Sequence, residues 1–148
     1  LGQSNWVKSF RELRGRAKID KEKMVTIGGF NLTATACSEI ILPGIYARQA
    51  AAGSDFLINA ASHSLFRGSR QLYGQTLRMA QVRGAESGRA LVEASNFVPS
   101  FLISPRGEVL WQSPWGREGA DLVQVPVASG TTFYSRLVTL FSTPNVLK

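Results

Sequence analysis

The sequence is short of the residues that build disulfides and metal sites. Its 148 residues include one cysteine, Cys37, and one histidine, His63. A single cysteine cannot form an internal disulfide, and one cysteine with one histidine cannot supply the four ligands of a structural zinc site. We therefore expect no disulfide and no metal, and no other feature of the chain calls for a cofactor.

Long apolar runs are also missing. No stretch approaches the roughly 20 consecutive apolar residues that a helix needs to span a bilayer. The chain does not start with the charged and then apolar segments of a secretory signal. We expect neither a transmembrane segment nor an export signal within these residues. Hydrophobic residues make up 44% and charged residues 18% of the sequence, which is typical of one globular domain.

Acidic residues are outnumbered by basic ones, 10 against 17, which gives a net charge of +7. Residues 1–23 hold seven basic and three acidic residues, so +4 of the +7 lies there. Such an arm is typical of a chain that meets nucleic acid or an anionic membrane surface, or of a solvated terminus. Because no nucleic-acid-binding motif accompanies it, we expect no nucleic acid partner. We divide the chain into a basic arm or linker at 1–23 and a domain at 24–148.

The first half of the domain alternates strand and helix patterns. Two strand patterns separated by Gly28-Gly29 predict a β-hairpin, and an alanine-rich helix pattern followed by a short apolar run predicts a strand–helix–strand crossover. The predicted elements are strands at Met24–Ile27 and Phe30–Cys37, a helix at Pro43–Ala52 and a strand at Asp55–Ala60.

The second half contains the longest helical pattern, Arg70–Ser87, which follows a polar loop at 62–69 and ends at Gly88. Its packed stripe is predicted from apolar and small residues at helical spacing: Tyr73, Leu77, Ala80 and Gly84. Further predicted elements are strands at Ala90–Ala94, Ser100–Ser104, Glu108–Gln112 and Asp121–Val127, a hairpin that pairs Phe101–Ile103 with Val109–Trp111, and a helix at Phe133–Phe141. The pattern predicts an α/β or α+β fold with strands stacked under helices.

Cys37 lies where the second predicted strand ends, and Glu39 follows two residues later. Alternation places its side chain on the same side of the strand as Thr33 and Thr35. A thiol at a strand end can be reached by substrate. Unpaired cysteines are nevertheless more often small buried apolar residues, so position alone favours an inert thiol.

Five segments, in order, resemble the carbon–nitrogen hydrolase (nitrilase) superfamily. The segment Thr35-Ala36-Cys37-Ser38-Glu39-Ile40-Ile41-Leu42-Pro43 is similar to its nucleophile segment, in which Cys, a variable residue, an acidic residue, an apolar pair and Pro follow apolar residues. The other four lie at 51–59, 78–89, 94–96 and 103–109. Gly-Arg-Ala-Leu-Val at 88–92 and Tyr134-Ser135-Arg136 resemble the apolipoprotein N-acyltransferase branch. The resemblance covers the chain from about Ile27 to Arg136.

The resemblance implies an α-β-β-α sandwich, of which this chain is similar to the C-terminal part. Half of such a sandwich would leave sheet edges and apolar faces uncovered. We therefore expect that either a longer protein or a complementing chain completes the domain.

The resemblance also implies a chemistry. The acyltransferase branch moves an acyl chain from a phospholipid to the N-terminal amine of a lipoprotein through a cysteine thioester, at the periplasmic face of the bacterial inner membrane. Phospholipid, lipoprotein and a membrane surface are then the expected partners. Two alternatives stay open: a soluble nitrilase or amidase that hydrolyses small amides, and a catalytically incomplete binding or assembly module.

By this resemblance Cys37 is the nucleophile, and Glu39 is the acidic neighbour that orients a catalytic lysine or the substrate amine. The family's base glutamate has no counterpart in this chain, and Lys8 is the one candidate for the lysine, although its spacing to Cys37 is short. The loop at 62–66 takes the place of the family's Asn-Asp-Ala-Trp-Phe segment, and it makes His63 and Phe66 candidate substrate-binding residues. Whether the chain by itself is an enzyme is left open by these departures.

Overall fold

A computed structural model of the protein describes residues 24–142. The basic arm at 1–23, including Lys8, lies outside the described residues. The strands are β1 (Met24–Ile27), β2 (Phe30–Ala36), β3 (Phe56–Ser62), β4 (Ala90–Asn96), β5 (Phe101–Ile103) and β6 (Val109–Gln112). The α-helices are α1 (Ile45–Ala51), α2 (Arg70–Ser87) and α3 (Phe133–Ser142), and short 3₁₀ helices lie at Cys37–Ile41 and Ser64–Phe66.

The strands form one mixed sheet in the order β1-β2-β3-β4-β5-β6. β1 and β2 form the predicted hairpin, and β5 and β6 form the second one. β2, β3 and β4 are parallel, because α1 and α2 return the chain to the same end of the sheet between them. The α/β fold predicted from the sequence is confirmed.

The helices pack on one face of this sheet. Its core joins strand residues such as Leu57, Leu91 and Phe101 to Tyr46 of α1 and Tyr73 of α2. These large side chains are 5% exposed or less. Their burial stabilises the packing of the helices on the face of the sheet that carries Leu57 and Leu91.

Helix α2 has the bounds that the sequence predicts. The Ser69 hydroxyl accepts a hydrogen bond from the Leu72 amide at 3.4 Å, and Gly88 ends the helix with a φ of 64°. Of the predicted stripe, Tyr73, Ala80 and Gly84 are buried and Leu77 packs against the core. A Cβ atom at Gly84 would lie 2.9 Å from both Ile103 Cγ2 and Ser104 O, so glycine permits this close approach of helix to sheet.

The opposite face of the sheet is apolar and, in the described part of the chain, largely open. Val25, Ile27 and Phe30 share this face through the β1–β2 register, and they are 49%, 62% and 47% exposed. Parallel strands are normally covered on both faces. The described residues therefore contain one sheet and one helix layer of the sandwich implied by the resemblance.

The strand predicted at Asp121–Val127 was wrong. Residues 119–131 have no regular secondary structure. Alternation of apolar residues predicts a strand only if one side becomes buried, yet Leu122 is fully exposed and Val127 half exposed. Pro126 also lacks the amide that a ladder needs.

No helix within residues 24–142 has both the length and the apolar character that crossing a membrane requires.

Candidate active site

The carboxyl ends of the parallel strands β2, β3 and β4 meet at one edge of the sheet. Within the described range, three non-glycine residues have positive φ, and each follows one of these strands: Cys37 at 49°, Arg67 at 48° and Phe97 at 63°. The left-handed conformation costs about 1–2 kcal/mol for such a residue, and backbone strain of this kind clusters at functional sites. This edge, which we call the carboxyl edge, is therefore the candidate site.

Cys37 is the first residue after β2, and its side chain is exposed. Thr33 and Thr35, which precede it on the helix-covered side of the strand, are buried. The positive φ interrupts the alternation, so that the thiol does not follow the two threonines into the helix layer. The buried cysteine that position alone favours was therefore wrong, because Cys37 is exposed. Its role as a nucleophile stays a prediction.

Glu39 folds back on the turn that carries Cys37. Its Oε2 accepts a hydrogen bond from the Ala36 amide at 2.7 Å. The carboxylate thereby closes the first turn of the Cys37–Ile41 3₁₀ helix and lies beside the cysteine. This contact gives Glu39 a part in holding the turn, in addition to any role toward substrate.

A chain of hydrogen bonds runs beneath Cys37. The Asn59 side-chain amide donates to the Cys37 carbonyl oxygen at 3.4 Å and to Glu93 Oε2 at 3.0 Å, and its own oxygen accepts from Thr35 at 2.9 Å. Asn59 and Glu93 are completely buried. Sequence reasoning assigned neither residue a role; the available signal was a polar side chain at a buried position of an apolar strand.

Tyr46 extends this hydrogen-bonded chain into the helix layer. Its hydroxyl lies 2.8 Å from the Thr35 hydroxyl. Burial raises the pKa of Tyr46 above its ordinary value of 10.0, the hydrogen bond with Thr35 opposes this in part, and the charge of Glu93 adds to it. Tyr46 is therefore a neutral hydrogen-bonding group, not a base, at neutral pH.

His63 and Phe66 both lie at the carboxyl edge, in the loop after β3. His63 is 6% exposed, its Nε2 is 3.4 Å from Glu93 Oε1, and its backbone amide donates to Asn96 Oδ1 at 2.9 Å. Phe66 is half exposed, with its ring centroid 6.4 Å from that of His63. The imidazole is thus directed at a buried carboxyl group, whereas the Phe66 ring is accessible. Their substrate-binding role stays a prediction.

A cavity of about 660 Å³ opens beside the end of β4, between the open face of the sheet and the segment after β6. Val92, Phe97, Trp111 and Val123 are among the apolar residues that line it. Cys37 does not line this cavity. The cavity therefore lies next to the candidate site and is not a pocket around the Cys37 thiol. No group of three or more Cys, His, Asp or Glu side chains in the range 24–142 could hold a metal ion.

Comparison with known proteins identifies the family. The sequence model of the carbon–nitrogen hydrolases matches residues 6–133, which is most of the chain. This chain belongs to the carbon–nitrogen hydrolase family.

Two similar proteins are named apolipoprotein N-acyltransferase. The one from Aquifex aeolicus (strain VF5) is 29% identical over 68% of this chain and 22% of its own length. The one from Pseudomonas paraeruginosa (strain DSM 24068 / PA7) is 32% identical over 72% of this chain and 20% of its own length. The chain therefore spans about a fifth of these relatives.

Solved structures of the nitrilase superfamily share the fold. A Saccharomyces cerevisiae member of branch 10 superposes with a TM-score of 0.56 at 14% identity, over 67% of this chain and 39% of its own. The carbon–nitrogen hydrolase of Helicobacter pylori G27 gives 0.54 at 14% identity, over 62% of this chain and 39% of its own. At such low identity these likenesses concern the fold alone.

Proposed function

We propose that this carbon–nitrogen hydrolase chain carries the nucleophile of an acyltransferase that moves an acyl chain from a phospholipid to the N-terminal amine of a lipoprotein. The observation that carries the proposal is the exposed Cys37 thiol, held in a left-handed conformation at the carboxyl edge and followed by Glu39. Support for the substrate class comes from the two relatives named apolipoprotein N-acyltransferase, whose likeness covers about 70% of this chain.

The transfer takes two steps at Cys37. The thiolate attacks the carbonyl carbon of the phospholipid ester, the bond to the glycerol oxygen breaks, and that oxygen leaves with a proton as the lysophospholipid. The lipoprotein amine then attacks the thioester carbonyl, the C–N bond forms, the C–S bond breaks, and the amine loses a proton. Splitting the transfer in this way replaces one difficult displacement by two easier ones.

Proton transfer needs a base and a proton donor near the thiol. In the described part of the chain, Glu39 and His63 are titratable groups at the carboxyl edge, and there is no lysine between residues 24 and 142. Lys8 stays the candidate that the resemblance gives, and it lies outside the described residues. A base glutamate and a lysine from a longer protein or a complementing chain would complete the site, at the periplasmic face of a bacterial inner membrane.

Trapping the intermediate tests the proposal. Membranes from cells that express the complete open reading frame encoding this chain are incubated with phospholipid radiolabelled in its acyl chain, and the protein is quenched in acid. We expect label on the Cys37 peptide that hydroxylamine removes, as it does thioesters. Cys37→Ala should carry no label, and Cys37→Ser should carry at most a hydroxylamine-resistant ester.

The same preparation distinguishes the alternatives. If Cys37 is labelled by a small soluble amide and not by phospholipid, the protein is an amidase, in which water attacks the thioester, and not an acyltransferase. If neither donor labels Cys37 and Cys37→Ala complements a deletion strain as well as wild type, the chain is a non-catalytic module.

A further inference from the structure

We infer that Glu93 is a positioning residue for the Cys37 thiol, acting through Asn59. This role of Glu93 rests on the proposed function of Cys37 as nucleophile. It is carried by the contacts of one completely buried carboxyl group that the proposed chemistry does not use.

Glu93 lies in the middle of β4 with 0% of its surface exposed. A carboxyl group in such a place is costly unless its oxygens are hydrogen-bonded. Asn59 donates to Oε2 at 3.0 Å and Ser95 to Oε1 at 2.9 Å, and His63 Nε2 is 3.4 Å from Oε1. Both carboxyl oxygens of Glu93 therefore have hydrogen-bond partners, and these contacts hold the side chains of Asn59 and Ser95 in position.

Asn59 is the partner that connects Glu93 to the nucleophile. Its amide nitrogen donates both to Glu93 and to the Cys37 carbonyl oxygen, and its amide oxygen accepts from Thr35. With the oxygen held by Thr35 and one N–H by Glu93, the amide cannot flip without losing both bonds. The second N–H is thereby directed at the backbone of Cys37.

This hydrogen bond acts on the conformation that exposes the thiol. A residue with a φ of 49° is strained and would relax toward the extended conformation of β2 if nothing held it. In an extended strand, Cys37 would follow Thr33 and Thr35 onto the helix-covered side. Glu93 and Asn59 thus favour the backbone in which the thiol points to solvent.

The rate of alkylation of Cys37 tests this without any acyl transfer. The complete protein is treated with iodoacetamide at 25 °C, and the Cys37 peptide is quantified by mass spectrometry. Glu93→Leu, which removes the acceptor, and Asn59→Ala, which removes the donor, should each slow alkylation about tenfold, the size of change that the loss of one buried hydrogen bond produces. Glu93→Gln keeps one oxygen for Asn59 and should stay within threefold of wild type.

Glu86→Leu is the matched control. Glu86 is a partly buried carboxylate that forms an ion pair with Arg83 on α2. Its replacement removes this ion pair and leaves the hydrogen bonds of Asn59 unchanged. For Glu86→Leu we expect an alkylation rate within threefold of wild type, and we expect equal rates for all variants in urea.

If Glu93→Leu does not fold, the alkylation rates of Asn59→Ala and Glu93→Gln still test the inference. A folded Glu93→Leu or Asn59→Ala protein that is alkylated within threefold of wild type, or faster, would overturn the inference.

The two proposals fail separately. If no phospholipid label reaches wild-type Cys37 but the alkylation differences are present, the acyltransferase assignment falls and the positioning role stands. If the label forms normally and alkylation is insensitive to Glu93 and Asn59, the reverse holds.

Discussion

Two buried tyrosines of the helix layer differ in what their hydroxyl groups contact. The Tyr46 hydroxyl lies 2.8 Å from Thr35, whereas the Tyr73 hydroxyl is buried without a hydrogen-bond partner in the described part of the chain. Burial, with a smaller contribution from the charge of Glu93, raises the pKa of Tyr73 from 10.0 to about 12. The folded protein thus holds this proton more tightly than the unfolded chain. The contribution of the Tyr73 proton to the free energy of unfolding is fully present below pH 10 and is lost as the pH rises from 10 toward 12.

Replacing Tyr73 should therefore cost little at neutral pH and help at high pH. Tyr73→Phe removes an unsatisfied buried hydroxyl, so we expect a free energy of unfolding at pH 8 that equals wild type or exceeds it by up to about 1 kcal/mol. Between pH 8 and pH 11 the variant should lose less stability than wild type. Urea unfolding at the two pH values measures both effects.

Tyr46→Phe serves as the control in the same experiment. It removes a hydroxyl that has a partner and should lose about 1 kcal/mol at pH 8. A comparable loss for Tyr73→Phe would show that the Tyr73 hydroxyl is hydrogen-bonded after all.

Cys37 shows how far residue-level reasoning reached. Its identity as the candidate nucleophile came from the sequence, by resemblance to a family segment. Its exposure did not, because alternation placed it with Thr33 and Thr35. The residue that decides between these outcomes is Asn59, which is 22 positions away in the sequence and which a local pattern cannot connect to Cys37.

At the scale of elements, α2 contains two glycines in different surroundings. A Cβ atom at Gly74 would meet no heavy atom within 4 Å, whereas one at Gly84 would clash with Ile103 and the Ser104 carbonyl. Neither residue has a positive φ. The difference between the two positions is therefore one of packing, not of helix propensity.

The two alanine variants should shift stability in opposite directions. Gly74→Ala should raise the free energy of unfolding by about 0.5–1 kcal/mol, since alanine is the better helix former. Gly84→Ala should lower it by roughly 1–3 kcal/mol, since the sheet must move away from the helix. Thermal or urea unfolding measures both, and equal shifts would contradict the close approach of α2 to β5.

Element prediction succeeded where local signals agree with burial. The bounds of α2 follow from Ser69, from the apolar stripe and from Gly88, all within the helix or next to it. The strand predicted at Asp121–Val127 had alternation, but it pairs with no strand in the part of the chain that the structure describes. Alternation is necessary for a half-buried strand, but the pairing that makes it a strand comes from elsewhere in the chain.

At the scale of the whole molecule, charge is distributed unevenly. The arm at 1–23 holds +4 of the net +7, and it precedes β1, the edge strand of the sheet. If the substrate is a phospholipid, as proposed, the positive charge of the arm would favour a surface of anionic headgroups. Each Lys or Arg close to an anionic surface contributes about 1 kcal/mol of binding, and salt weakens the attraction.

Neutralising the arm should therefore weaken vesicle binding. We expect Lys18→Gln, Lys21→Gln and Lys23→Gln combined to lower affinity for vesicles that contain anionic phospholipid by at least tenfold, with no change on zwitterionic vesicles. Sedimentation with vesicles at low and high salt measures this. Arg78→Gln, Arg106→Gln and Arg136→Gln combined remove the same charge from the domain surface and should have a smaller effect. Equal losses would mean that net charge, and not the arm, governs binding.

The sequence by itself determined the family, the order of most elements, the hairpins and the identity of Cys37. The elements and Cys37 each rest on neighbouring residues in a short segment, and the family rests on five such segments in order. Only the tertiary structure decided that the thiol is exposed and that the candidate site is the carboxyl edge. It also joined Asn59 to Glu93, 34 positions further along. The physical reason is the parallel pairing of β2, β3 and β4, which brings distant strand ends to one edge and places buried polar side chains beneath Cys37.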